Sequence, residues 1–166
     1  MKKVAKWIGL GVVAFALLVF LLDSFGGYFM DGPLGPIPGG YMSGPVVDPA
    51  EPLDWSGAER EIEIEVRPEQ PWSLTVWRAV VDGDLYIPSG GGARRRWTQV
   101  AVADPRVRVR SQGRIQEGCL VRIEDPKIRR PVRDALLELY PRFPGGDGGD
   151  DGSIWLFRVD PRATCD

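Results

Sequence analysis

The sequence predicts a mainly β protein: a small six-stranded antiparallel barrel with two short helices, preceded by one N-terminal transmembrane helix. Three observations lead there. Short β-branched and aromatic runs alternate apolar with polar residues and are separated by turn signals at Asp82-Gly83 and Gln112-Gly113. Two segments instead carry helical spacing. An uncharged apolar run, Trp7 to Leu22, stands apart from the rest near the start of the chain.

Lys2, Lys3 and Lys6 precede that run. With Val4 and Ala5 included and Lys6 snorkelling, it reaches the length of a membrane span. Trp7 stands where an interfacial aromatic is expected, and no basic residue follows until Arg60. The positive-inside rule then puts the N-terminus in the cytoplasm and everything after Asp23 outside a plasma (inner) membrane, in the cell envelope. A cleaved signal peptide is the competing reading, but no Ala-x-Ala follows the run. Residues 1–25 are thus read as an anchor or signal peptide, 26–58 as a Gly/Pro-rich tether and 59–166 as the barrel domain.

In the tether, Gly32 to Gly40 alternates Gly and Pro with apolar residues, which suits an extended segment lying along the folded domain. The first strand is Glu61–Arg67, with Ile62, Ile64 and Val66 on one face and Glu61, Glu63 and Glu65 on a solvated one. Ser73–Val81 reads as the second strand. Asp82-Gly83 turns it into a third, Asp84–Ile87. A Gly-rich stretch and three arginines follow, then a short helix, Trp97–Ala103, ended by Asp104-Pro105. Arg106–Arg110 alternates Arg with Val, so Val107 and Val109 face inward. After the Gln112-Gly113 turn, Arg114–Ile123 forms a longer strand with Ile115, Cys119, Val121 and Ile123 on one face. Pro131–Tyr140 has helical spacing with Pro131 in the first turn. Ser153–Val159 is the last strand.

The composition excludes several chemistries. The chain has 166 residues, no histidine and two cysteines. Ser-His-Asp and Cys-His nucleophile systems and His-ligated metals are therefore absent, and a thiolate zinc site lacks ligands. No metal site is assigned. Beyond the N-terminal lysines the chain is mildly acidic, which gives no case for a nucleic-acid partner. Asp147, Asp150 and Asp151 in the Gly145–Gly152 stretch lack the spacing of a calcium loop, and the stretch reads as a loose connection. Cys119 and Cys165 lie on the outer side, where disulfides persist. They either close a long loop or remain a buried thiol and a tail thiol. No catalytic residue can be named.

The segment Val76 to Glu124 carries a hairpin (Val81-Asp-Gly-Asp-Leu-Tyr-Ile87), the polar turn Ser89-Gly-Gly-Gly92, a helix ending Ala103-Asp-Pro105, and Arg106-Val-Arg-Val-Arg110. It resembles the split-barrel superfamily of pyridoxamine-phosphate oxidase-like and deazaflavin-dependent nitroreductase-like proteins. The resemblance implies a barrel of the split type, a homodimer, and flavin mononucleotide or a deazaflavin as cofactor. It also implies that the turn holds the cofactor's anionic part: Ser89, Gly90, Gly91 and Gly92, with Arg94, Arg95 and Arg96. The physics agrees, because glycines let backbone approach an anion and a helix N-terminus offers unpaired N–H groups. Tyr86 and Trp97 flank the turn and are the expected ring contacts. Two functions stay open: a membrane-anchored, oxidoreductase-like cofactor binder, or a non-enzymatic envelope module that uses the barrel as a binding scaffold.

Overall fold

The computed structural model describes residues 7, 11–19, 21, 30–143 and 153–165. The Gly145–Gly152 stretch lies outside the described residues, and much of the N-terminal apolar run does too. Seven strands build the domain: β1 (Glu61–Val66), β2 (Trp72–Trp77), β3 (Ala79–Val81), β4 (Asp84–Gly90), β5 (Arg106–Ser111), β6 (Arg114–Ile123) and β7 (Ile154–Pro161). The helices are α1 (Arg96–Ala103) and α2 (Pro126–Leu139). The sheet runs β2-β1-β5-β6-β7-β4-β3, and every neighbouring pair is antiparallel.

Three expectations are corrected. The sheet has seven strands, not six, because Ser73–Val81 is interrupted at Arg78. This residue is 8% exposed, and it donates from Nε to Glu59 O at 2.8 Å and from Nη2 to Ala58 O. Those bonds turn the chain from β2, at one end of the sheet order, directly into β3 at the other. The second helix begins at Pro126, not Pro131: the Asp125 carboxylate caps Lys127 N, and Pro126 occupies the first turn. Pro131 lies inside the helix.

The third correction concerns the membrane. Residues 11–19 are helical and exposed, but no helix among the described residues is long and apolar enough to cross a membrane. The transmembrane helix, and the membrane as partner, are withdrawn.

Strand alternation divides the apolar residues between two clusters. Inside the barrel lie Ile62, Ile64, Val66, Leu85, Ile87, Val107, Val109, Leu120 and Phe157. On the outer face, Ala79, Tyr86, Ile123 and Leu156 are covered by α2 through Val132 and Leu136. Both helix residues are fully buried, which is worth about 2 kcal/mol each. The two turns read from sequence are tight hairpins with left-handed residues, Asp82 and Gly83 (φ 54° and 88°) and Gln112 and Gly113 (φ 51° and 71°).

The segment before β1 straps across the rest of the outer face. Gly39 and Ser73 exchange backbone hydrogen bonds, Val47 N donates to Ile115 O, and Ile115 N donates to Pro45 O. Beneath the strap, Glu65 is 3% exposed; it pairs with Arg108 Nη1 at 2.8 Å and accepts from Met42 N at 2.6 Å. Register makes this inevitable, since Glu63 lies opposite Arg110 and Glu65 opposite Arg108. The expected solvated glutamate face is therefore wrong for Glu65.

At the strap's other anchor, Asp31 accepts from Ser43 N and Oγ, each at 2.7 Å, and pairs with Arg110 at 3.0 Å. The Ser43 amide, then its hydroxyl and Arg110, hold the Asp31 carboxyl below its ordinary value. A depressed carboxylate stabilises above its unfolded pKa and loses that contribution as pH falls through the folded one. We expect the strap to be fully fastened above about pH 4 and to loosen at lower pH. Hydrogen exchange at the Ser43 amide, corrected for its intrinsic rate, should show several-fold less protection at about pH 2.5 than at about pH 5. Unchanged protection would show that the carboxylate does not fasten the strap.

Candidate functional site

The Gly-rich turn joins the end of β4 to α1. Ser89 and Gly90 are the last residues of β4, opposite Trp155 and Ile154 of β7. Gly91 and Gly92 adopt left-handed conformations (φ 91° and 45°). This reverses the chain into one 3-10 turn, Gly92–Arg94, before the helix starts at Arg96. Gly91 N donates to Ser153 O at 2.9 Å, and Gly92 O accepts from Thr98 Oγ1 at 2.6 Å, so both ends of the turn are pinned. Gly92 is required twice over. Besides its φ, a Cβ there would stand 2.8 Å from the Trp155 indole.

The three arginines differ. Arg95 Nε donates to Gly90 O at 2.8 Å, Arg96 lies over the Trp72 ring at 5.0 Å, and Arg94 is exposed. None of the three has a carboxylate within 4.0 Å among the described residues. Elsewhere Arg106, Arg108, Arg110 and Arg158 each have one. Arg95 is the N-cap of α1 and supplies no side-chain acceptor, so it leaves the first-turn N–H groups uncapped. Ser89 is 3% exposed, and its Oγ has no hydrogen-bond partner among the described residues. A buried hydroxyl without a partner is costly and asks for an explanation.

The structure brings Ser89 through Arg96 together but separates the two expected ring contacts. Trp97 packs inside the barrel, its ring 5.4 Å from that of Phe157. Tyr86 lies on the opposite sheet face under α2, where burial pushes its phenol pKa up. Even- and odd-numbered residues of a strand point to opposite sides, and Tyr86 has the parity of Gly90 rather than Ser89. The indoles that do adjoin the turn are Trp155 and Trp72, both half-buried. Trp155 carries Arg122 over its ring at 3.7 Å, and Arg122 in turn pairs with Glu124 at 3.1 Å. Sequence reasoning missed Trp155 and Arg122 at this place. The only local signal was their residue type, since their position follows from β4–β7 and β6–β7 pairing.

A concavity of about 400 Å³ lies at the other end of α1, between Val100, Ala103 and Asp104 and the β1–β2 turn residues Arg67, Glu69 and Gln70. Arg106 spans it, bonding Asp104 and Glu69, and holds both carboxyls below their ordinary values. Its two carboxylates are thus already paired.

Solved structures with this arrangement of strands are at hand. An F420-H2 dependent reductase (FDR-A) is 17% identical over 61% of this chain and 95% of its own, with a TM-score of 0.52. The conserved hypothetical protein Rv2991 from Mycobacterium tuberculosis is 21% identical over 72% of this chain and 84% of its own, also at 0.52. A putative pyridoxamine 5'-phosphate oxidase from Listeria innocua is 20% identical over 62% and 84%, at 0.48. No curated protein matches the sequence. At these identities the likeness to the first two establishes the fold alone, the split barrel that the F420-H2 dependent reductase also has. A family model described as "Uncharacterized protein conserved in bacteria" matches residues 53–147, and the chain belongs to that family, DUF2255.

Proposed function

We propose that this chain is an oxidoreductase-like split-barrel protein that binds the anionic part of a flavin mononucleotide or deazaflavin at Ser89–Arg96. The observation that carries the reading is the run Arg94–Arg95–Arg96, without acidic partners among the described residues, set one residue after two left-handed glycines and at an uncapped helix start. Fixed N–H groups and guanidinium donors around a backbone that can be approached closely suit phosphate. The orphaned Ser89 hydroxyl supports the same reading. The fit is to the anion. The cofactor, when bound, would supply the redox chemistry, while the chain binds and orients it. Trp72 and Trp155, rather than Tyr86 and Trp97, are the aromatic rings beside the turn.

A non-enzymatic binding module is the second reading. It is favoured by the commitment of Tyr86 and Trp97 to packing on opposite faces of the sheet. In either reading we take the protein as a homodimer, supported by the exposure of Leu34, Ile37, Tyr41 and Val46 on the strap. Sedimentation would distinguish one 18.4 kDa chain from two.

Titration of the full chain with flavin mononucleotide and with a deazaflavin separates the readings. Micromolar binding is expected. Changing Arg94, Arg95 and Arg96 together to Ala should weaken it by about 100-fold or more while the far-ultraviolet spectrum stays unchanged. Affinity untouched by that change would remove the anion site. Binding of neither compound would leave the module.

A further inference from the structure

Two cysteines distant in sequence come together at the C-terminus. In β6, Leu120 belongs to the barrel interior, and a Cβ on Gly118 would meet Val159 and Val107 there. Cys119, between them, therefore points to the outer face, where it is nevertheless only 2% exposed. Cys119 is thus the buried thiol of the sequence reading, and it lies on the outer rather than the inner side of the sheet. β7 ends at Pro161 opposite Gly118, and the chain then turns back over β6 through a 3-10 turn, Arg162–Cys165.

That turn delivers the second sulfur. Cys165 Sγ donates to Gly118 O at 3.4 Å and accepts from Arg162 Nη1 at 3.9 Å. A peptide oxygen lies about 2.8 Å from the next Cα by standard geometry, which bounds the Cys165 sulfur to about 6 Å from the Cys119 Cα. Both residues are thiols in this structure, and Cys165 is half-buried.

We propose that Cys119 and Cys165 are a modification site: an intramolecular disulfide that forms under oxidising conditions and clamps the C-terminal turn onto β6. Oxidation needs an acceptor, and a small-molecule disulfide serves. The accessible Cys165 thiolate attacks one sulfur of oxidised glutathione, giving a mixed disulfide and one reduced glutathione. The Cys119 thiolate then attacks the Cys165 sulfur and expels the second glutathione. Two protein thiols are oxidised by two electrons, lose two protons, and one glutathione disulfide becomes two thiols. The closed loop contains α2 and β7, so the bond ties both to β6.

The test uses the full chain, reduced and then incubated with oxidised glutathione. Expected are an intact mass lower by two hydrogens, a peptide pair joining Cys119 to Cys165, and a melting temperature raised by on the order of 5–10 °C, reversed by reductant. Cys165→Ser should abolish the mass change and the thermal shift together. Because Cys119 is buried, a Cys119→Ser variant that misfolds would be uninformative, and Cys165→Ser carries the control. A stable glutathione adduct on Cys165 with Cys119 still a thiol would overturn the proposal, as would bridging between chains.

Discussion

Replacing Arg78 with methionine is expected to destabilise the domain by about 3–5 kcal/mol. Methionine keeps most of the volume and removes every donor. Two backbone carbonyls then lose charge-assisted partners, Ala58 O at a buried site and Glu59 O at a part-buried one. Leaving such acceptors unsatisfied costs more than the bonds themselves contribute, because water cannot replace the donors. The change also loosens the position of the Arg78 amide, which donates to Tyr140 Oη at 3.2 Å. Tyr140 stacks on Trp77 at 4.6 Å, so the end of α2 depends on the same corner. Urea unfolding followed by tryptophan fluorescence should show a lower midpoint at an unchanged slope. A loss below about 1 kcal/mol would mean that the two carbonyls find other partners and that Arg78 does not hold the corner.

The second large effect is expected at Glu65. Glu65→Leu leaves Arg108, whose side chain is 12% exposed, without its partner and deprives Met42 N of its acceptor. Breaking a buried pair by removing one member costs about 3–5 kcal/mol. The double change Glu65→Leu with Arg108→Met should recover a large part of that, because the uncompensated charge goes with it. The strap would still lack its Met42 bond, so hydrogen exchange at Met42 should rise in both variants. Equal destabilisation in the single and double variants would show that the strap contact, and not the stranded charge, sets the cost.

Much of the barrel was legible because its signals are local. Asp82-Gly83 and Gln112-Gly113 supply left-handed residues where two-residue hairpins need them, and the alternation of β1 and β5 sets which residues face the barrel interior, whereas in β6 the face picked out is the outer one and Leu120 points inside. The break at Arg78 was not legible. Residues 73–77 and 79–81 are equally good strand formers, and the interruption is imposed by carbonyls of residues 58 and 59. The start of α2 was misplaced because Pro126 and Pro131 both suit a first turn, and only the Asp125 cap decides between them.

Alternation also could not tell water from a strap. Glu61, Glu63 and Glu65 look identical in sequence, yet Glu65 is buried by residues more than twenty positions earlier. At the candidate site, the Gly-rich turn and its arginines could be located, since they are contiguous. Trp155 could not, because its place beside Gly92 depends on β7 pairing with β4 across a long separation.

The junction at Arg78 has a further consequence for how the molecule avoids its own kind. Open sheets recruit strands from other molecules through their two unpaired rims. Here the rims belong to β2 and β3, which are separated by a single residue. One rim is only three residues long, and the other is partly occupied by Gly39. The chain thus ties its two vulnerable borders to each other through one residue, and protection from edge-to-edge aggregation is written into connectivity rather than into surface charge. Lengthening that one-residue link would untie both borders together.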